Sequence, residues 1–282
     1  MKLDLDALRR HPLPPVIDGG KETKGRILVV AGSRDVPGAA LLAATAAMRA
    51  GAGKLRIATV ESVGAQLGIA MPEAMVIGLP EAADGGFAKA AVDRICGLAG
   101  DVDAVTAGPG VRTNRASAAI ASGLIQSKAA LALDVAMIET LSPPKQVHAR
   151  VPLLLPDADE LSALLECDPG EVERDPVGCG VRAAQTYRSI VLVKGVVSHI
   201  VTPAGRSWSY DGGAPGLGVS GSGDVLAGIV GGLLARGSEP LNALLWAVWL
   251  HGEAGARLAK KIGPIGFLAR EIADEIPALL PR

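Results

Sequence analysis

Arg26-Ile27-Leu28-Val29-Val30-Ala31-Gly32 opens the stretch that decides the fold. Residues 39–50 follow, then Gly51-Ala52-Gly53 and Lys54-Leu55-Arg56-Ile57-Ala58-Thr59-Val60. The first segment is a continuous apolar run ending in glycine, the pattern of a strand buried on both faces. The second is rich in alanine, the best helix former, and its glycines supply the stop. The third alternates polar and apolar residues and reads as another strand. Parallel neighbours need a crossover of about a dozen residues or more, and this one has that length. The stretch is therefore a β-α-β unit.

The theme repeats along the chain. Strands are expected at 74–79, 104–107, 130–134, 151–155 and 190–195, and helices at 87–98, 117–126, 159–166 and 176–187. His199-Ile200-Val201-Thr202 and Ser207-Trp208-Ser209-Tyr210 flank Pro203-Ala204-Gly205-Arg206, a hairpin signature. Helices at 224–236, 240–260 and 266–279 complete the pattern. Strands alternating with helices imply an α/β fold of three layers: a mostly parallel sheet, helices on both faces and an antiparallel hairpin at one edge. No linker divides the chain and no repeat is visible, so one domain over 1–282 is expected. Pro12, Pro14, Pro15, Gly19 and Gly20 make 1–24 read as an extended arm.

In such sheets ligands collect beyond the carboxyl ends of the strands. The sequence puts Gly32-Ser33, Gly108-Pro109-Gly110, Asp134 and Lys194-Gly195 there. Lys194 reads either as a solvated lysine or as a cation facing phosphate. After the hairpin comes Gly221-Ser222-Gly223-Asp224-Val225-Leu226-Ala227-Gly228-Ile229-Val230-Gly231-Gly232-Leu233-Leu234, a glycine turn running into an apolar helix. The first amides of a helix lack internal partners and carry the positive end of its dipole. Gly221, Ser222 and Gly223 thus form a candidate anion cradle, with Asp224 beside it as a candidate base. The plainer reading is a loop with a capping aspartate. Gly228, Gly231 and Gly232 each weaken the helix, which suggests close approach by another backbone or by a ligand.

Composition narrows the function classes. The chain has 282 residues, 49% hydrophobic and 20% charged, with a formal net charge of −1. That charge gives no footprint for nucleic acid, and 2% aromatics leave little for base stacking. Cys96, Cys167 and Cys179 form no C-x-x-C pair, and His11, His148, His199 and His251 lack paired-ligand spacing. No structural transition-metal site or disulfide framework is expected. The charged N-terminus lacks a signal-peptide core, and the longest apolar run, 225–235, is too short to span a bilayer. A cytoplasmic protein without membrane partners is expected.

Other phosphate and nucleophile motifs are absent or weak. Gly53-Lys54 is followed by leucine, and Met48 stands where a Walker loop has its first glycine. Gly216, Gly218 and Gly221 match G-x-G-x-x-G, but no strand precedes them. Ser33 lacks the G-x-S-x-G elbow.

Lys194-Gly195 ahead of a hairpin, then Gly221-Ser222-Gly223-Asp224 opening a helix, resembles the ribokinase superfamily. More narrowly, the chain resembles the ADP-dependent NAD(P)H-hydrate dehydratases. The resemblance rests also on Gly32-Ser33, Gly38-Ala39-Ala40, Arg49-Ala50-Gly51-Ala52-Gly53, Met71-Pro72-Glu73-Ala74, Gly108-Pro109-Gly110, Gly213-Ala214-Pro215-Gly216 and Leu250-His251-Gly252-Glu253. It implies a ribokinase-like fold, here without the epimerase domain that often precedes it. It implies that Lys194, Gly195, Val196, Val197, Ser198 and Gly223 hold the adenine nucleotide. Ala39, Gly110 and Asp157 would line the pocket for hydrated NADH or NADPH, with Asp224 at the reacting hydroxyl. The implied co-substrates are ADP, or ATP, with Mg²⁺, and a homo-oligomer is expected.

The family usually carries Thr-Pro-His-Pro-Gly-Glu where this chain has Leu155-Pro156-Asp157-Ala158-Asp159-Glu160. An anion at 157 would repel a phosphate-bearing ligand unless a cation intervenes. Two other readings therefore stay open: an alcohol kinase of the same fold, and a nucleotide-binding relative without catalysis.

Overall fold

The computed structural model describes residues 1–281 except 16, 17, 19, 22, 145–147 and 149. Gly19 of the expected arm thus lies outside the described residues. Seven parallel strands form the sheet: β1 (Arg26–Val30), β2 (Lys54–Val60), β3 (Ala74–Leu79), β4 (Ala104–Ala107), β5 (Ala130–Leu133), β6 (Leu153–Leu154) and β7 (Ile190–Val193). The antiparallel hairpin of β8 (Ser198–Val201) and β9 (Ser207–Tyr210) extends it. The order is β3-β2-β1-β4-β5-β6-β7-β8-β9. The chain reverses direction across the sheet between β1 and β4, where α/β sheets open a crevice at their carboxyl ends.

Strand β1 explains the layering. Ile27 and Val29 enter one core and Leu28 and Val30 the other. The first core is covered by α2 (Gly38–Arg49), α10 (Ser222–Ala235), α11 (Pro240–Lys261) and α12 (Ala269–Glu275). The second is covered by α4 (Val92–Ala99), α5 (Arg115–Ile125), α6 (Ala136–Glu139), α7 (Ala158–Leu165) and α9 (Pro176–Tyr187). Four helices of the described residues were not anticipated from sequence: α6, the N-terminal one at Leu5–Arg9, and two more. In α3 (Glu61–Ala70), Gly64 and Gly68 obscure the helical signal, yet they let the helix lie close on Gly78 and Val76 of the edge strand. In α8 (Pro169–Arg174) the signal was present, with Asp168 capping and Pro169 in the first turn.

The N-terminal segment is not extended throughout. Its backbone pairs with β9, Leu3 donating to Ser209 and Ser209 to Met1, each at 2.8 Å. It then turns into α1 (Leu5–Arg9), where Asp4 accepts from the Ala7 amide at 2.8 Å. The pairing covers an edge that would otherwise offer free backbone groups. Other boundaries move inward. Regular structure in β6 is two residues long, α12 ends at Glu275, and α4 starts only after a 3-10 turn at Lys89–Ala91.

Helix α10 is the centre of the molecule. Residues 225–235 are all buried, between the sheet, α2, α11 and α12. Gly228 and Gly232, four residues apart, share one face of the helix. A Cβ at Gly228 would overlap the Ala43 carbonyl oxygen, and one at Gly232 that of Ala47. The other backbone whose approach those glycines suggest is therefore that of α2. Gly232→Val should lower stability by about 3 kcal/mol. Chemical denaturation checks this, and an unchanged midpoint would contradict the packing.

Candidate active site

The amino terminus of α10 opens into a cleft of ≈ 780 Å³ at the carboxyl ends of β7 and its neighbours. Gly221, at φ +90°, makes the turn that starts the helix, and no side chain caps it. Ser222 and Gly223 line the cleft, so the positive end of the helix is presented to whatever enters. One wall is apolar, formed by Ala214, Pro215, Leu217, Leu226 and Val248. The other end carries Asp157, Lys194, Gly195 and Ser198. Apolar walls with a few convergent polar groups are the usual build of a small-molecule site.

Lys194 follows β7 directly. Its Nζ donates to Asp134 Oδ1 at 2.8 Å and lies 3.4 Å from Glu160 Oε2. The Nζ would stand 3.9 Å from a Cβ placed on Gly223, so the ammonium sits beside the turn. Burial opposes the charge on Lys194, but Asp134 and Glu160 outweigh it and hold the ammonium well above the ordinary lysine range. Burial raises the Glu160 carboxyl, with Lys194 acting against that.

Asp224 occupies the first turn of α10. Burial, then the nearby Asp134, push its carboxyl up to about 6, against the pull of Lys194. A carboxylate poised near neutrality suits proton transfer. Behind the turn, His251 of α11 contacts Ser222. Its Nε2 lies 3.1 Å from the Ser222 carbonyl, as donor in one tautomer, and 3.0 Å from the hydroxyl, as acceptor in the other. Burial lowers the imidazole to about 4, so it braces the turn without adding charge at neutral pH.

Most of the sequence-proposed residues fall into two places, while Gly221, Asp224 and Val197 line neither cavity. Lys194, Gly195, Val196, Ser198, Asp157, Ser222 and Gly223 line the large cleft. Val196 is 99% exposed at its mouth, and Val197 is also exposed. Gly110 instead lines a smaller cavity of ≈ 160 Å³ with Ser33, Asp35, Val36, Val111 and Arg112. That cavity lies at the β1–β4 reversal, where the Gly32 amide donates to Pro109 at 2.8 Å. Ala39 is buried directly against Gly110. Asp157 is therefore not in the same cavity as Gly110. It caps α7: its Oδ1 accepts from the Glu160 amide at 2.9 Å, and Glu160 Oε2 accepts from the Asp157 amide at 2.8 Å. Asp134 and Glu160, which contact Lys194, and His251, which lines the cleft, are residues that the motif reading left unassigned. The capping pattern Asp-x-x-Glu was the visible signal for Glu160.

This fold and site define the class: a ribokinase-like α/β protein with a nucleotide-sized cleft. A ribokinase-like superfamily protein from Enterococcus faecalis superposes with TM-score 0.82 at 24% identity, over 99% of this chain and 94% of that one. The family model for NAD(P)H-hydrate dehydratase matches residues 27–278, and the chain belongs to that family. It is 45% identical to the ADP-dependent (S)-NAD(P)H-hydrate dehydratase of Xanthomonas campestris, over 98% of this chain and 94% of that protein. The ADP/ATP-dependent NAD(P)H-hydrate dehydratase of Bacillus subtilis, co-crystallised with ATP/Mg²⁺, superposes with TM-score 0.85 at 26% identity, over 99% and 96% of the two chains.

The raised pKa of the Asp224 carboxyl has a consequence for stability. Its folded value, about 6, lies above the ordinary unfolded value of about 4. The native state then binds the proton more tightly, so stability is fullest below pH ~4 and falls as pH rises through ~6. Asp224→Asn escapes this loss. It should be more stable than the parent by roughly 2 kcal/mol above pH ~7, the gap closing toward pH ~4. Urea midpoints across this range test the sign, and a gap independent of pH would contradict it.

Proposed function

We propose that this protein repairs hydrated NADH and NADPH by ADP-dependent dehydration. The observation that carries the reading is the turn at 221–224: helix amides facing a cleft, the Lys194 ammonium beside them and a carboxyl of raised pKa one residue on. Phosphoryl transfer to a hydroxyl needs positioning, charge stabilisation and a proton acceptor, and this turn offers all three.

In the proposed reaction the ring hydroxyl of the hydrate attacks the β-phosphorus of ADP, and Asp224 takes its proton. The bond to the bridging oxygen breaks and AMP departs. The phosphorylated ring carbon then loses its carbon–oxygen bond, inorganic phosphate leaves, and the adjacent carbon gives up a proton to restore the double bond. Lys194 and the amides of Gly223 and Ser222 hold the transferring group. Gly195, Val196, Val197 and Ser198 frame the nucleotide, and Gly221 shapes the turn. Ala39 and Gly110 shape the hydrate side, at the β1–β4 reversal. Asp157 fixes Glu160 at the entrance. Mg²⁺ bound with the nucleotide phosphates would spread their charge. No group of three or more potential ligands forms a separate metal centre among the described residues.

Incubation with hydrated NADH, ADP and Mg²⁺ should restore the absorbance of the reduced nicotinamide. Asp224→Asn should reduce turnover at least ~100-fold while retaining adenine-nucleotide binding. Turnover of the parent should fall as pH drops through about 6, where the base becomes protonated. No recovery of absorbance with either ADP or ATP would overturn the reading, and a stable phosphorylated product would assign an alcohol kinase instead.

A further inference from the structure

Asp134 stands at the end of β5 with 2% of its side chain exposed. A buried carboxylate without a partner is costly, and an ammonium at hydrogen-bond distance relieves that cost. Here the partner is Lys194, at 2.8 Å and itself 19% exposed. The backbone around Asp134 is held in an unusual way. Val135 follows at φ +43°, ψ −119°, a conformation strongly disfavoured for a β-branched residue. Strain of this kind persists where the surroundings over-determine it, and it concentrates at functional sites. On the other side, the Asp134 carbonyl lies where a Cβ on Gly108 would have to be. An aspartate just ahead of a helix would ordinarily cap it. Helix α6 has no side-chain cap, and the Asp134 carboxylate turns to Lys194 instead.

We propose that Asp134 is a positioning residue that holds the Lys194 ammonium beside Gly223 and fixes the charges around Asp224. The inference rests on the reading of the 221–224 turn given above. Asp134 does not touch the reacting groups; it acts through Lys194 and through its field. Lys194 is held from the other side by Glu160, which the Asp157 cap orients. The two members of the pair act on Asp224 in opposite directions, Asp134 favouring the protonated form and Lys194 the ionised one. Among the described residues, Glu160 and Asp157 of the α7 cap and His251 of α11 are further titratable groups near the turn, and Tyr210 and Asp211 line the same cleft. Helices α2 and α12 present Leu42 and Ala269 to the turn.

The test is a carboxyl-carbon NMR titration of the full chain without ligand, labelled at aspartate, with the Asp224 signal assigned by its loss in Asp224→Asn. Asp134→Asn should move the Asp224 midpoint below 6, toward the ordinary value near ~4, because Lys194 then acts unopposed. Lys194→Gln should move it upward, because Asp134 acts unopposed. The double variant carries neither charge, so it should fold even where Asp134→Asn alone does not, with a midpoint between the two. General damage to the site would not produce opposite shifts. An unmoved midpoint in folded Asp134→Asn, or shifts of the same sign in both single variants, would overturn the proposal. The same holds if Lys194→Gln leaves the midpoint unmoved. In turnover, Asp134→Asn should raise KM for ADP about tenfold and move the acid limb of kcat to lower pH. The titration needs no substrate, so an inactive parent showing the opposite shifts would sink the dehydration reading and leave the role of Asp134 standing.

Discussion

The close packing of α10 on α2 is the constraint on which the site depends. A helix buried along its whole length cannot shift without disturbing the sheet, α2, α11 and α12 together. Gly228 and Gly232 remove the side chains that would keep the two backbones apart. The helix thereby becomes a fixed axis with only its amino terminus open to solvent. Anion-binding amides are useful when they do not have to be rearranged during the reaction. Here the rigidity is built one to two turns away from the proposed base.

Around that fixed end the charges are arranged in opposition. Lys194 is neutralised by Asp134 and Glu160 rather than left to bind phosphate as a lone cation. Asp224 in turn feels burial and Asp134 against Lys194, and its carboxyl rests near 6. His251 braces Ser222 while remaining uncharged. A site that binds an anion and also removes a proton needs this balance. In the proposed reaction a stronger positive field would make Asp224 too weak a base, and a weaker one would leave the phosphates unpaired.

Much of this was legible in the sequence, for physical reasons. Strands buried on both faces leave long apolar runs, so β1 and β7 were plain, as was the hairpin around Pro203-Ala204-Gly205-Arg206. The turn at 221–224 stood out through its place after Lys194-Gly195 and the hairpin, since by itself it also reads as a loop with a capping aspartate. Helix α3 was hidden by Gly64 and Gly68, whose purpose is contact with β3 and not helix formation. The start of the N-terminal arm was misread because its backbone partner, β9, lies some two hundred residues away. Asp134 was visible only as an aspartate after a strand; its pairing with Lys194 spans sixty residues and needs the fold to bring them together. Asp157, noted as a departure from the family pattern, has a local explanation as the cap of α7.

In the proposed reaction the hydroxyl oxygen of the hydrate leaves on phosphorus, not as water. Hydrated NADH carrying ¹⁸O in the ring hydroxyl separates the two routes in a single turnover with ADP. If the turn at 221–224 directs phosphoryl transfer to that hydroxyl, the heavy oxygen will be found in the inorganic phosphate released. Heavy oxygen recovered in water, with unlabelled phosphate, would contradict it.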